Sequence, residues 1–212
     1  RLASESISSF TKTFLNGSET LNYYIWDEEA TGLLSGGDGI LAWEHKEDAE
    51  NFIENIFAEL DPYIDLDFQR VENQLLSHID IYSVGLYENW DERVLGEAIP
   101  RSSWWDVLWR DTGVISTTGD TNDQYTIVHE IGHALGLSHP QVNGIDSPND
   151  SRWDSDDTVM TYNESEDGWD PLFSFSDLTA LQSIWGIEDS INRIPQLSSF
   201  DMANTTMRFE FM

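Results

Sequence analysis

Three of the five histidines in this chain fall inside one short string, His129-Glu130-Ile131-Gly132-His133-Ala134-Leu135-Gly136-Leu137-Ser138-His139. Residues four apart on a helix lie about 5–6 Å apart at Cβ, so the imidazoles of His129 and His133 can converge on one ion with bonds of about 2.0–2.1 Å. Glycine accepts positive φ at little cost, so the helix can end at Gly136 and the chain can swing back to bring His139 in as a third ligand. Three neutral nitrogens hold Zn²⁺ and leave one position for water, a catalytic arrangement rather than a structural one. Glu130 projects about 60–100° around the helix from the histidines, toward that water. It is suited to take the water's proton as general base and to deliver it later to a leaving amine. Two blander readings exist. The i, i+4 pair alone is also what two surface histidines look like, and Glu130 could be only an outer partner of a non-catalytic zinc. Gly136 and His139 at this spacing favour the catalytic set.

The segment carrying the pair must be a helix with two different faces. With about 100° per residue from Ile127, Val128, Ile131 and Leu135 share one stripe and the histidines share the opposite one. The stripe docks the helix on a core while the imidazoles face a cleft. Thr121 and Gln124 have the spacing of a capping box at its start. Upstream, residues 21–26 are aromatic-rich and predict a strand, and glycine-rich residues 31–39 predict a loop. Residues 47–60 place apolar side chains three and four apart and predict an amphipathic helix that Pro62 stops. Residues 66–71 and 78–84 alternate as strands, and 102–110, with three tryptophans, predict an edge strand. Residues 1–17 are a short helix or a loosely packed arm. Residues 175–185 have helical spacing and stop at Gly186.

Charge and composition narrow the partners. The 212 residues include 40 Asp+Glu against 10 Lys+Arg, a formal charge of -30. Such a surface repels phosphate backbones and anionic headgroups, which excludes nucleic acid as a partner. No apolar run approaches the ~18 residues of a membrane span. With 39% hydrophobic and 12% aromatic residues the chain can build a core. There is no cysteine, so thiolate sites, cysteine nucleophiles and disulfides are excluded and metal ligation falls to His, carboxylates or Tyr. The first residues contain no signal-like apolar stretch, so any export signal is expected to lie elsewhere or to have been removed. His45 sits among charges and reads as a solvated loop residue. Asp146, Asp150 and Asp154, with Asp156 and Asp157, form an acidic loop that could offer oxygens to Ca²⁺, although the spacing is not that of an EF-hand.

The eleven-residue string resembles the metzincin signature H-E-x-x-H-x-x-G-x-x-H, and Thr158-Val159-Met160-Thr161-Tyr162 is similar to the family's Met-turn. Tyr125-Thr126 before His129 and the run from His133 to Pro140 look most like the serralysin catalytic domain, and Met160-Thr161-Tyr162 resembles both the serralysin and astacin branches. The resemblance covers roughly 121–186. Over 1–120 only the helix–strand order agrees, and the calcium-binding repeats of serralysins are absent from this sequence. It implies an α+β fold: a metzincin-like zincin with a twisted mixed sheet packed on the active-site helix. A smaller C-terminal subdomain would contain the Met-turn and a closing helix.

The catalytic domain would occupy 1–187, its upper part about 1–138 and its lower part about 139–187. Residues 188–212 would be a tail or the start of a further segment. By resemblance, Met160 floors the metal, and Tyr162 ligates zinc and swings aside to hold the tetrahedral intermediate. Asp177, after Ser176, supports the Met-turn. Val107 and Leu108 are the expected substrate-binding edge strand. The implied activity is a secreted, monomeric zinc endopeptidase acting on protein or peptide substrates and open to a proteinaceous inhibitor. The alternative is a non-hydrolytic zinc protein that binds peptides, or a zinc hydrolase of non-peptide amides.

Overall fold

A computed structural model describes residues 2–34, 37, 39–111 and 121–188. The expected tail therefore lies, from residue 189 on, outside the described residues. Helix α1, Glu5–Leu15, is a packed helix and not a loose arm. Strand β1, Thr20–Ile25, buries Leu21, Tyr23 and Ile25 on one face, as alternation demands. Helix α2, Glu47–Leu60, buries Ala49, Ile53, Ile56, Phe57 and Leu60, and three acids in its first turn interact favourably with the positive end of the helix dipole. Helix α3, Asn122–Ala134, carries His129 and His133, and helix α4, Phe175–Trp185, opens with a capping box between Ser174 and Asp177.

The sheet has seven strands and is mixed. Strands β4 (Asp67–Arg70), β1, β5 (Ile79–Tyr87) and β7 (Trp105–Arg110) run parallel in that spatial order. Strand β6, Gly96–Pro100, closes one side antiparallel to β7. The distal half of β5 pairs antiparallel with β3 (Gly39–Trp43), which forms a hairpin with β2 (Ala30–Leu33). One core joins a sheet face built from Leu21, Ile25, Ile79, Ile81 and Val107 to all four helices. The other face carries a smaller cluster of Leu34, Ile40, Ala42, Tyr82, Val84, Tyr87 and Leu108. The chain is thus α+β, with four α-helices and a mixed sheet among the described residues.

Several sequence expectations are corrected. Val107 and Leu108 are not on an edge: β7 is flanked by β5 and β6, and both residues are fully buried. A run buried on both faces is the mark of a central parallel strand, and beyond β7 the edge among the described strands is β6. Residues 31–39 are not a simple loop, because pairing with β3, itself anchored on β5, draws 30–33 into a ladder despite weak strand propensity. His45 is buried, accepting a 3.0 Å bond from Trp109 Nε1 at Nε2 while its Nδ1 lies 2.8 Å from the Trp26 carbonyl. Thr121 precedes α3 but makes no side-chain cap. No helix among the described residues is long and apolar enough to cross a membrane.

Candidate metal centre

Helix α3 is enclosed rather than half exposed, with every residue from Tyr125 to Gly132 buried. Its C-terminal end is held by long-range partners. Thr11 Oγ1 donates to the Ala134 carbonyl and Trp185 Nε1 to that of Leu135, satisfying carbonyls the helix leaves orphaned. Gly136 then takes φ of +107°, and a Cβ there would stand 2.9 Å from Ser8 Cβ, so only glycine fits both the backbone and the packing of α1. The chain reverses, Ser138 N donates to the Leu2 carbonyl, and His139 is carried back over α3.

The three imidazoles converge. Nε2 of His139 lies 3.2 Å from Nε2 of His129 and 3.2 Å from Nε2 of His133, and the three ligand atoms are all within 4.8 Å of one another. Among the described residues this is the one group of three or more His, Cys, Asp or Glu side chains gathered closely enough to hold a metal ion. Each Nδ1 meets an oxygen. That of His129 is 2.6 Å from the Val159 carbonyl, that of His133 is 2.9 Å from the Leu137 carbonyl, and that of His139 is 2.8 Å from Asp146 Oδ2. These oxygens are acceptors, so each Nδ1 carries the proton and each Nε2 turns a lone pair to the common centre. Three converging lone pairs repel one another unless a cation lies between them. Two nitrogens bound to tetrahedral zinc at about 2.0–2.1 Å lie about 3.3 Å apart, a spacing that both pairs made by His139 match, while the third pair stands within 4.8 Å. Burial and the neighbouring rings keep His129 well below the ordinary histidine range, and burial takes His133 down to about 4, which keeps both neutral and ligand-competent.

Glu130 is buried beside this centre. Desolvation pushes its carboxyl up to about 8, with the Glu97 charge adding and the Ala98 N–H pulling the other way. Edge strand β6 passes directly over it: a Cβ on Gly96 would sit 2.8 Å from Glu130 Oε1. The absence of a side chain at Gly96 therefore leaves room for the carboxylate. Tyr162, half exposed, has its ring 4.9 Å from that of His139 and 5.5 Å from that of His129. Burial, then the charges of Glu130 and Asp146, raise its hydroxyl to about 12, so it stays a donor. Beside Glu130 and Tyr162 opens a cleft of about 710 Å³, walled by Leu95, Tyr125, Thr126 and Trp169.

The support runs back to α4. Asp177 is fully buried and accepts hydrogen bonds from Thr158 Oγ1 at 2.5 Å, Val159 N at 3.0 Å and Ser174 N at 3.0 Å. It thereby fixes the turn whose Val159 carbonyl orients His129. Met160 is fully buried, and a Cβ on Gly132, between the two helical histidines, would stand 2.8 Å from its sulfur.

Among the described residues Asp146, Asp150 and Asp154 are not gathered into one group of possible ion ligands. Asp146, on the short hairpin β8 (Gln141–Val142) and β9 (Ile145–Asp146), serves His139, while Asp150 pairs with Arg152 and Asp154 accepts from the Asp156 N–H. The orienting role of Asp146 was hidden in the sequence by its acidic neighbours. The carbonyls of Val159 and Leu137, like the Ala98 N–H, leave no sequence signal at all.

No family model matches this chain, and no curated protein matches it. Among solved structures, a chain described as "GM1 bound form of the ECX AB5 holotoxin" is similar at 13% identity over 82% of this chain and 82% of that chain, with a TM-score of 0.46. A likeness of that degree carries no argument about this molecule.

Proposed function

We propose that the chain is a zinc-dependent endopeptidase of the metzincin type, similar to serralysin catalytic domains. The observation that carries this is the convergence of three Nε2 lone pairs, each ring locked by an oxygen on its far nitrogen, beside a buried carboxylate and an open cleft. A zinc ion there supplies Lewis acidity toward a carbonyl and acidifies water. Glu130 takes a proton from the attacking water at its carboxylate and hands it to the leaving nitrogen. Its high metal-free value means that a neighbouring cation is needed to bring it into the base form near neutrality. The Tyr162 hydroxyl, held protonated, donates to the oxygen that gains charge. An extended peptide adds antiparallel or parallel along the free side of β6, opposite β7, and passes over Glu130. The same reading carries secretion and a monomeric state.

The test is hydrolysis of casein by zinc-loaded protein, its loss on chelation, and the behaviour of Glu130→Gln. The variant is expected to keep stoichiometric zinc and lose about 100-fold or more in kcat. Hydrolysis that survives chelation, or a Glu130→Gln enzyme near parental rate, overturns the reading. Zinc binding without cleavage by the parent protein would instead leave a peptide-binding role.

A further inference from the structure

The sheet face turned away from α3 carries chemistry that the metal centre does not use. Asp80 on β5 and Asp106 on β7 are direct register partners, so two carboxylates stand side by side on that face, and both are almost fully buried. Like charges opposed across strands destabilise a sheet, and an apolar pair would pack there at lower cost. The two help line a cavity of about 390 Å³ together with Trp26, Tyr82 and Trp104. Asp106 is compensated, accepting from Arg101 Nε at 2.6 Å and from Trp104 Nε1 at 2.9 Å. Asp80 receives neutral donors: Gln74 Nε2 at 2.9 Å and the Ser77 hydroxyl. These bonds fix the segments around Gln74 and Arg101 at the rim, so the cavity is preorganised. Leu75, which also lines the cavity, is 90% exposed and adds an apolar surface near the two carboxyls.

We propose that this cavity is a second binding site, for the end of an alkyl chain bearing a cationic head, as in a lysine or arginine side chain or a small alkylamine. The head meets Asp80 between aromatic faces, where a cation gains from both carboxylate and ring quadrupole. The stem lies along Leu75. A neutral sugar could also stack on the tryptophans, but it gives no reason for two adjacent buried carboxylates facing a single guanidinium. Desolvation, with the charge of Asp106 adding, carries Asp80 to about 7, so a cation gains most above that pH. The ionisable groups around Asp80 are Asp106 with its partner Arg101, Tyr82 on the same strand and Tyr24 on β1.

The full chain is titrated with n-butylammonium, n-butylguanidinium and a blocked lysine amide, and with n-butanol and a methyl glucoside as neutral probes, following indole NH signals by NMR. Saturable shifts confined to Trp26 and Trp104 with the cations at pH 8, and none with the neutral probes, are expected. The blocked lysine amide binding more tightly than n-butylammonium identifies a polypeptide side chain as the source, and the reverse identifies a free amine. Affinity should fall about tenfold or more in Asp80→Asn and on going to pH 5.5. Trp26→Leu, which leaves the carboxylates in place, should weaken binding as well and serves if Asp80→Asn misfolds. Absence of saturable binding at millimolar probe, equal binding by the glucoside, or binding unchanged in both variants overturns the proposal and leaves the pair as props for their rim segments.

Discussion

At the residue scale the centre is governed by what stands behind each imidazole. His129 and His133 lean on backbone carbonyls, which no single substitution removes, whereas His139 leans on the Asp146 side chain. Asp146→Asn can still accept at Nδ1 but loses the charge that raises ligand basicity. Outer partners of this kind are worth about 10–100-fold in metal affinity. We therefore expect Asp146→Asn to bind zinc about tenfold more weakly in a chelator competition. Its metal-free melting temperature should stay near that of the parent, because Asp146 is largely exposed. Unchanged zinc affinity would show that the pairing does not orient the ring.

At the element scale the reversal after α3 is the critical joint. Its glycine has φ of +107° and lies against both Ser8 and Ile184, so α1, α3 and α4 meet there. Gly136→Ala adds left-handed strain and a steric conflict with α1, together about 1–3 kcal/mol. The expected result is a lower melting temperature and weaker zinc binding together, since His139 is delivered by this turn. A variant that loses stability while holding zinc as tightly as the parent would separate the two roles. The ends of α2 and α4 were legible in the sequence because helix periodicity and a stop residue are local signals. The edge position of β6 was not, because which strand lies outermost depends on pairing partners far along the chain.

At the scale of the whole molecule, 40 acidic residues face 10 basic ones, and several carboxyls are buried within that field. Asp80 and Glu130 have folded values near 7 and 8, above their ordinary range of about 4. Each favours the fold when protonated, so its contribution is complete below about pH 4 and is lost as pH rises through 7 to 8. For Asp80 this is on the order of 2–4 kcal/mol. In metal-free protein, Asp80→Asn should gain stability relative to the parent as pH rises from 5 to 8, read from urea midpoints; a constant difference would contradict the burial argument.

His129 and His133 act in the opposite sense. With folded values lowered, their contribution is present above about 6.5 and is lost as pH falls toward 4. A cation beside Glu130 favours its ionised form, and the metal-free carboxyl titrates near 8, so zinc should raise the melting temperature more at pH 8 than at pH 5, and a chelator should reverse it. Equal stabilisation at both pH values would argue that the ion binds elsewhere.

Taken alone, the sequence located the three histidines that the structure gathers, the carboxylate beside them and the two amphipathic helices, because i, i+4 spacing and helical period act within one turn or two of chain. Asp177 and Met160 were singled out only by the resemblance of their segments to the metzincin closing helix and Met-turn. Only the tertiary structure decided that β7 is interior and β6 an edge among the described strands, that His45 is a buried acceptor, and that Asp146 meets the far nitrogen of His139. Those outcomes depend on burial and on hydrogen-bond partners brought in from distant segments. The pairing of Asp80 with Asp106 is of the same kind, since the register of two strands 26 residues apart placed them side by side.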